Sequence, residues 1–374
     1  MIKKNLQKIF KTISYFIFSK IHGRIEESVS IESDKRINAK IVNFEKNLKY
    51  KVYIINGGRL YTDRIHDTAA IIENKIIEGP SFQLRENNNS SIKNNSVFEK
   101  GTPRRLFNLK GTVLSLLTGG GGNNNYWHWL YDVLPRIELC AQAKNLESID
   151  YFLFPNLKNK FQIESLHVLN LPKEKLLSSE KFRHIKAEQL ITTDHPYVFT
   201  NDSHHDAQNV PKWIVEWLRK KFLTNLNNQV ENYPRKIYLD RSDSRSNVAG
   251  LRSILNENSV RELLIKKNFT IVRLYDLDFL EQVRYFNNAE YIVGLHGAAL
   301  ANLAFCKENT KVIEFSMHKT GKMYENIAKI NNLNYSSIKS DPNEFKHTKQ
   351  LGHIKVSIEE LEKKLNYLTS NSNY

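Results

Sequence analysis

The chain has 374 residues, 40% hydrophobic and 25% charged, an ordinary globular mix that is long enough for two domains, each with its own core. A formal net charge of +15 points to an anionic partner such as nucleic acid, a membrane surface or a phosphorylated substrate. The basic residues are scattered, without an arginine-rich tract, zinc-finger spacing or aromatic RNA-binding signature, which sets nucleic acid aside, and two cysteines, Cys140 and Cys306, exclude a disulfide framework and suit a reducing compartment.

At the start of the chain, Ile2, Leu6, Ile9, Phe10, Ile13, Phe16 and Ile17 fall at helical spacing among Lys3, Lys4, Lys8, Lys11 and Lys20. No apolar run approaches the ~18 residues of a membrane span, and there is no small-residue cleavage site. The segment reads either as a basic amphipathic helix on an anionic leaflet or as a helix docked on the body of the protein. Short strand-like runs follow at Lys51–Ile55, Ala69–Ile72 and Thr112–Leu117, with a polar loop at Asn87–Ser96. Gly119–Gly122 makes a flexible entrance to a helix over Tyr126–Lys144, bent or broken near Pro135. Tyr151–Phe154 and Gln189–Thr192 read as strands, and Val210–Val230 as an amphipathic helix with Trp213, Ile214, Trp217, Leu218 and Phe222 on one face.

Beyond a polar break at Asn225–Pro234 the pattern changes. Strands at Ile237–Leu239, Thr270–Arg273, Tyr291–Val293 and Lys311–Phe315 alternate with helices at Ser259–Lys267 and Phe279–Asn287. Such alternation predicts a parallel sheet covered on both faces. The expected organisation is a helix and linker over 1–40, a first domain over 41–230, and a second over 231–374 ending in a helix at Ser357–Leu368.

Three segments carry the chemistry. In Asn125–Arg136, His128 and Asp132 are four apart and share a helix face, with Arg136 a turn further on. Tyr126, Trp127, Trp129 and Tyr131 surround them, and aromatic rings suit sugar faces. Zinc is a poor reading, because an HExxH site needs a second His where Asp132 stands. In Tyr238–Glu257, Arg241 and Arg245 directly follow a strand and Arg252 comes later. Guanidinium groups suit pyrophosphate because each can bond two oxygens at once. In Tyr291–Phe315, Gly294 and Gly297 bracket His296 at a sharp strand-to-helix turn, where bare backbone and a helix N-terminus favour phosphate. Glu314 stands about 20 positions on, where a Rossmann-like unit grips ribose hydroxyls.

Together these segments resemble glycosyltransferase family 61. The carriers are Asn125–His128–Asp132 (N-x-x-H-x-x-x-D/E), Tyr238–Arg241, and Gly294–His296–Gly297–Ala298–Leu300–Asn302 (G-x-H-G-A-x-L-x-N). The resemblance implies an α/β protein of GT-B-like architecture, two Rossmann-like domains facing a central cleft. It implies an inverting, metal-independent transferase with no cofactor, taking a UDP-sugar in the second domain and a glycan or lipid-linked glycan acceptor in the first. Asp132 is the first choice of base, with His128 positioning it or serving as the base itself; Asn125, Trp127 and Arg136 fall on the acceptor side. Arg241, with Arg245 or Arg252, falls on the leaving diphosphate. Gly294, His296, Gly297, Ala298 and Asn302 hold the donor, and Glu314 the ribose. Asp276–Asp278 spells D-L-D, the metal-binding motif of GT-A enzymes, but Asp278 precedes a helix and reads as its N-cap.

The expectation is therefore a glycosyltransferase of bacterial surface polysaccharide (capsule or lipopolysaccharide) assembly, cytoplasmic and peripheral at the inner membrane. A non-catalytic nucleotide- or polyanion-binding protein on the same fold is the alternative. A Rossmann oxidoreductase is disfavoured, because G-L-H-G-A-A lacks the G-x-G-x-x-G spacing.

Overall fold

The structure is a computed structural model. It describes the whole chain except residues 1, 46, 63–67, 82–90, 118–124, 198–207, 227–231, 242–251, 319, 342–351 and 371–374, and describes only the backbone at 2–8, 11 and 368–370. The chain divides into two compact units, Met1–Ala207 and Gln208–Tyr374.

The first unit opens with helix α1 (Ile2–His22) and continues through strands β1 (Glu27–Val29), β2 (Ile37–Asn43), β3 (Lys49–Asn56), β4 (Arg59–Thr62), β5 (Thr68–Ile72) and β6 (Lys75–Ile77). After the short helix α2 (Val97–Lys100) come β7 (Phe107–Ser115), helices α3 (Tyr126–His128) and α4 (Pro135–Ala143), β8 (Tyr151–Phe154), α5 (Lys160–Val168), β9 (Leu176–Ser178) and β10 (His184–Thr193). Among the described residues all these strands join one sheet, in the order β1-β6-β5-β4-β10-β7-β8-β9, with β2 attached through β3 to β10. β10 is long enough to pair antiparallel with β4 through its first residues and with β3 through its last, while its other edge runs parallel to β7. Ile55, Leu60, Val113, Leu153, Ile185 and Leu190 fill the core beneath it.

The structure is α/β as expected, but the first unit departs from a Rossmann-like domain. Only β7–β10 form a parallel block with helices between strands. Ahead of it, β2–β3 and β5–β6 are antiparallel hairpins, whose connections are too short to hold a crossover helix.

The second unit contains α6 (Lys212–Leu223), β11 (Lys236–Leu239), α7 (Glu257–Lys266), β12 (Thr270–Val272), α8 (Phe279–Asn288), β13 (Tyr291–Leu295), a 3₁₀ helix (Ala298–Phe305), β14 (Lys311–Ser316), α9 (Met323–Ile330), β15 (Asn334–Lys339) and α10 (Ile358–Ser370). All five strands are parallel, in the order β12-β11-β13-β14-β15. Val260 and Leu264 of α7 and Leu361 and Leu365 of α10 join one core with Tyr238, Val293 and Ile313. A second cluster brings Phe222, Phe279 and Phe305 together edge to face. It draws α6 into this unit: the apolar face carrying Trp213, Ile214, Trp217, Leu218 and Phe222 is buried here, although the sequence pattern grouped that helix with the first domain.

The strand order sets the position of a site. The chain leaves β11 toward β12 on one side, and from β13 onward steps to the other side. Ligands of open parallel sheets bind at the carboxyl ends of the strands flanking such a reversal. Here those ends lead into Arg241, after β11, and His296–Gly297, after β13.

Candidate active site

In the first unit, β7 and β10 run parallel, so the helix that follows β7 and the residues that follow β10 share one edge of the sheet. Asn125 caps α3, its Oδ1 accepting from the Trp127 N–H at 2.8 Å. Trp129–Val133 then forms a π-helical turn, with the Leu134 N–H donating to the Trp129 carbonyl at 3.0 Å. Pro135 follows directly; it has no N–H to continue the regular ladder, and single π turns of this kind recur at functional sites. The Trp129 indole N–H donates to Ser165 Oγ at 2.9 Å, which pins the turn to α5.

Asp132 sits in this turn and is 0% exposed. Its Oδ2 is paired with His128 Nδ1, while the His128 side chain is 28% exposed. Desolvation alone would lower the His128 pKa, but the Asp132 charge and hydrogen bond outweigh it and hold the pKa above the usual 6.5. Burial pushes Asp132 upward; the His128 charge and hydrogen bond, with smaller contributions from His195 and Tyr197, bring it below the ordinary carboxylate value.

His195 and Tyr197 are partners that the sequence reading missed. They follow β10, and the only signal was a strand end of unknown register. His195 Nδ1 accepts from the Tyr197 N–H at 3.1 Å, and burial drives its pKa down to about 3. It is therefore a neutral imidazole with its proton on Nε2.

Two residues expected on the acceptor side are placed elsewhere. Trp127 is buried and stacked on Tyr131, with ring centroids 4.3 Å apart, so its face is not offered to a sugar. Arg136 is 1% exposed. Its Nε donates to the Asp132 carbonyl at 2.9 Å and its Nη1 to the Asp194 carbonyl at 3.3 Å. The guanidinium ties the π turn to the end of β10, which makes Arg136 a positioning residue. Asn125 is exposed beside the turn it caps.

In the second unit, Arg241 Nη1 donates to the His296 carbonyl at 2.6 Å, and Arg252 Nη1 reaches the same oxygen at 3.4 Å. Burial and the neighbouring Arg241 lower the Arg252 pKa to about 10, which leaves it cationic at neutral pH. Arg245 lies outside the described residues. The Arg241 guanidinium rests against Gly297, where an added Cβ would come within 2.3 Å of Nη1. Gly297 is extended, with φ 163°, so this position needs glycine for room. Gly294 abuts Leu239 on the neighbouring strand, and a Cβ there would stand 3.1 Å from the Leu239 Cδ1. Beside Arg241 lies a cavity of about 200 Å³ lined by Tyr238, Asp240, Ser253, Glu257 and Arg261 among others.

Glu314 is 2% exposed. One carboxylate oxygen is paired with His296 Nδ1, and the other accepts from the Tyr335 hydroxyl. Both oxygens being engaged inside the unit, Glu314 orients His296 and does not present itself to a ribose as the spacing suggested. Tyr324 packs its ring on His296 at 4.8 Å. Asn302 is buried too, donating to the Ala299 carbonyl at 3.2 Å. Ala298 is half-buried at the start of the 3₁₀ helix.

Asp278 caps α8 in a capping box with Glu281, as its position implied, and exposed Asp276 pairs with Arg273 Nε at 2.6 Å. Among the described residues no group of three His, Cys, Asp or Glu is arranged to hold a metal ion.

These features define an α/β protein with a basic strand reversal in one unit and a His–carboxylate pair in the other. The family model for glycosyltransferase 61 matches residues 126–313, half of the chain. The chain belongs to the glycosyltransferase 61 family. It is also similar to the EGF domain-specific O-linked N-acetylglucosamine transferases of Gallus gallus (29% identical over 89 residues) and Rattus norvegicus (30% over 89 residues), in each case over 22% of this chain. The match to each covers only 17% of the relative's own length.

Proposed function

We propose that this chain is an inverting, metal-independent glycosyltransferase that moves a sugar from a UDP-sugar to a glycan or lipid-linked glycan acceptor. The observation that carries the reading is the His128–Asp132 pair, a partly exposed imidazole backed by a fully buried carboxylate. The fully buried Asp132 cannot meet an acceptor, so the base is His128 and Asp132 orients it. With Nδ1 held by Asp132, Nε2 is left to take the proton of an acceptor hydroxyl. The hydroxyl oxygen forms its bond to the anomeric carbon as the bond from that carbon to the diphosphate breaks, and the proton ends on His128.

The charge of the departing diphosphate would be met by Arg241, Arg252, His296 and the first N–H groups of the 3₁₀ helix. This supports a donor site at the β11/β13 reversal. The reading carries no cofactor. It puts the protein in the cytoplasm of a bacterium, in assembly of a surface polysaccharide such as capsule or lipopolysaccharide. No described helix is long and apolar enough to cross a membrane.

The test is UDP release from a panel of UDP-sugars with acceptor present, together with a thermal-shift screen. A nucleotide bound only by the folded state raises the unfolding temperature with the logarithm of its concentration over its dissociation constant. Binding of UDP without any turnover would favour a non-catalytic nucleotide-binding protein. Because arginines take the place of a metal here, turnover should persist in excess EDTA. Asp276→Asn should be nearly silent, since Asp276 is exposed and paired only with Arg273 among the described residues. Loss of turnover on chelation, restored by manganese or magnesium, would overturn metal independence.

A further inference from the structure

Helix α1 has two faces of unusual character. Tyr15, Phe18 and His22 turn toward the first unit. The Tyr15 ring lies 3.3 Å from where a Cβ on Gly101 would sit. Phe18 stacks on His22, His22 packs edge-on against His184 at 4.9 Å, and Arg59 donates to the His22 carbonyl at 3.4 Å. The opposite face would ordinarily be polar. Instead it carries Ile9, Phe10, Ile13, Phe16, Ile17 and Ile21, which are 47–69% exposed. At 3.6 residues per turn these six fall within an arc of about 140°. They are half of the large apolar side chains that the described residues leave exposed, and the others are scattered along the chain. A contiguous apolar face of this kind marks an interaction surface.

We propose that this face of α1 lies in the surface of a bilayer rich in anionic lipid headgroups, independently of the reaction assigned above. The charge of the segment selects that occupant. Residues 1–25 contain Lys3, Lys4, Lys8, Lys11, Lys20 and Arg24 and no Asp or Glu. A second copy of the helix would bring two such cationic segments together, whereas an anionic leaflet accepts the apolar face and the charge at once. Lys20 is held 4.3 Å from the Phe16 ring, so one cation stands at the edge of the apolar face, as in helices that lie in an interface.

The experiment is co-sedimentation of the full chain with vesicles of phosphatidylcholine alone and of phosphatidylcholine with about 30% phosphatidylglycerol. Binding is expected to the anionic vesicles, with weak binding to the neutral ones, and to fall at high salt as the charges are screened. Phe10→Ser/Phe16→Ser/Ile17→Ser should weaken it by roughly 100-fold at an unchanged unfolding temperature. Should that variant not fold, Lys20→Glu/Arg24→Glu alters only exposed positions and should weaken binding to anionic vesicles alone. The proposal is overturned by no binding to anionic vesicles, by equal binding to neutral ones, or by a folded triple variant that binds like the parent. A concentration-dependent dimer that the triple variant abolishes, without vesicle binding, would assign the face to a second copy instead.

Discussion

Replacing His128 by Ala should cut turnover by roughly 10²–10⁴-fold, the usual contribution of a general base, while UDP affinity stays at the parent value. The lost group acts on the acceptor proton, so the loss belongs to the transition state and not to donor binding. On the proposed mechanism Asp132→Asn has a different signature, because the fully buried Asp132 would act through His128. The base works as neutral imidazole, and the Asp132 charge holds its pKa above 6.5. The rate should therefore climb as pH rises through that raised value and fall below it. The amide keeps the shape but removes the charge, so in Asp132→Asn this acid limb should move to lower pH as the maximal rate drops. The double variant should be little worse than His128→Ala alone. Initial rates across pH at saturating donor, with UDP binding measured alongside, make the test. An acid limb that stays in place in Asp132→Asn, or normal turnover in His128→Ala, would sink the assignment of base and orienting carboxylate.

How far this site can be read from sequence depends on the range of the interactions that build it. His128 and Asp132 meet because they are four apart on one helix, so local spacing was enough to pair them. His195 joins them only because β10 runs parallel to β7, a pairing between strands far apart in the chain that no hydrophobic period encodes. The burial that hides Asp132 while leaving His128 partly exposed has the same origin, since the end of β10 and α5 are tied to the turn. Arg136 looked like a functional cation for the same reason: nothing local reveals that it spends its donors on the Asp194 carbonyl.

The second unit was more legible, because fully buried parallel strands such as β13 and β14 stand out as short apolar runs between turn signals. β15, with the sequence NYSSIK, has no such run and was missed; pairing with β14 makes it a strand. That omission carries directly into the site. Tyr335 lies on β15 and engages the second oxygen of Glu314, so an acidic residue at the spacing of a ribose ligand turns out to be an internal partner of His296. Of the strands ahead of β7, only β3 and β5 contain apolar runs that read as strands in the sequence, and even there direction is set by connection length and pairing, which such runs do not specify.

Gly297→Val should weaken UDP binding by roughly 10–100-fold, the value of one or two hydrogen bonds to a charged group, and should leave the fold intact. The backbone at Gly297 is extended, so a side chain there brings no torsional strain. The collision is with Arg241: the new Cβ would sit 2.3 Å from its Nη1 and 2.7 Å from its Cζ. The mobile end of an arginine yields readily, so folding is spared while the guanidinium is driven from the position that the His296 carbonyl holds for it at 2.6 Å. Arg241→Ala should accordingly produce a similar loss. Because both substitutions remove one group from one place, their effects should not add, and the Arg241→Ala/Gly297→Val protein should bind UDP about as well as either single variant. Isothermal titration of the three variants, each checked for a parental unfolding temperature, supplies the cycle. Losses that add in full would mean that Gly297 serves the ligand by some route other than Arg241. Parental affinity in folded Gly297→Val would remove the donor from the β11/β13 reversal altogether.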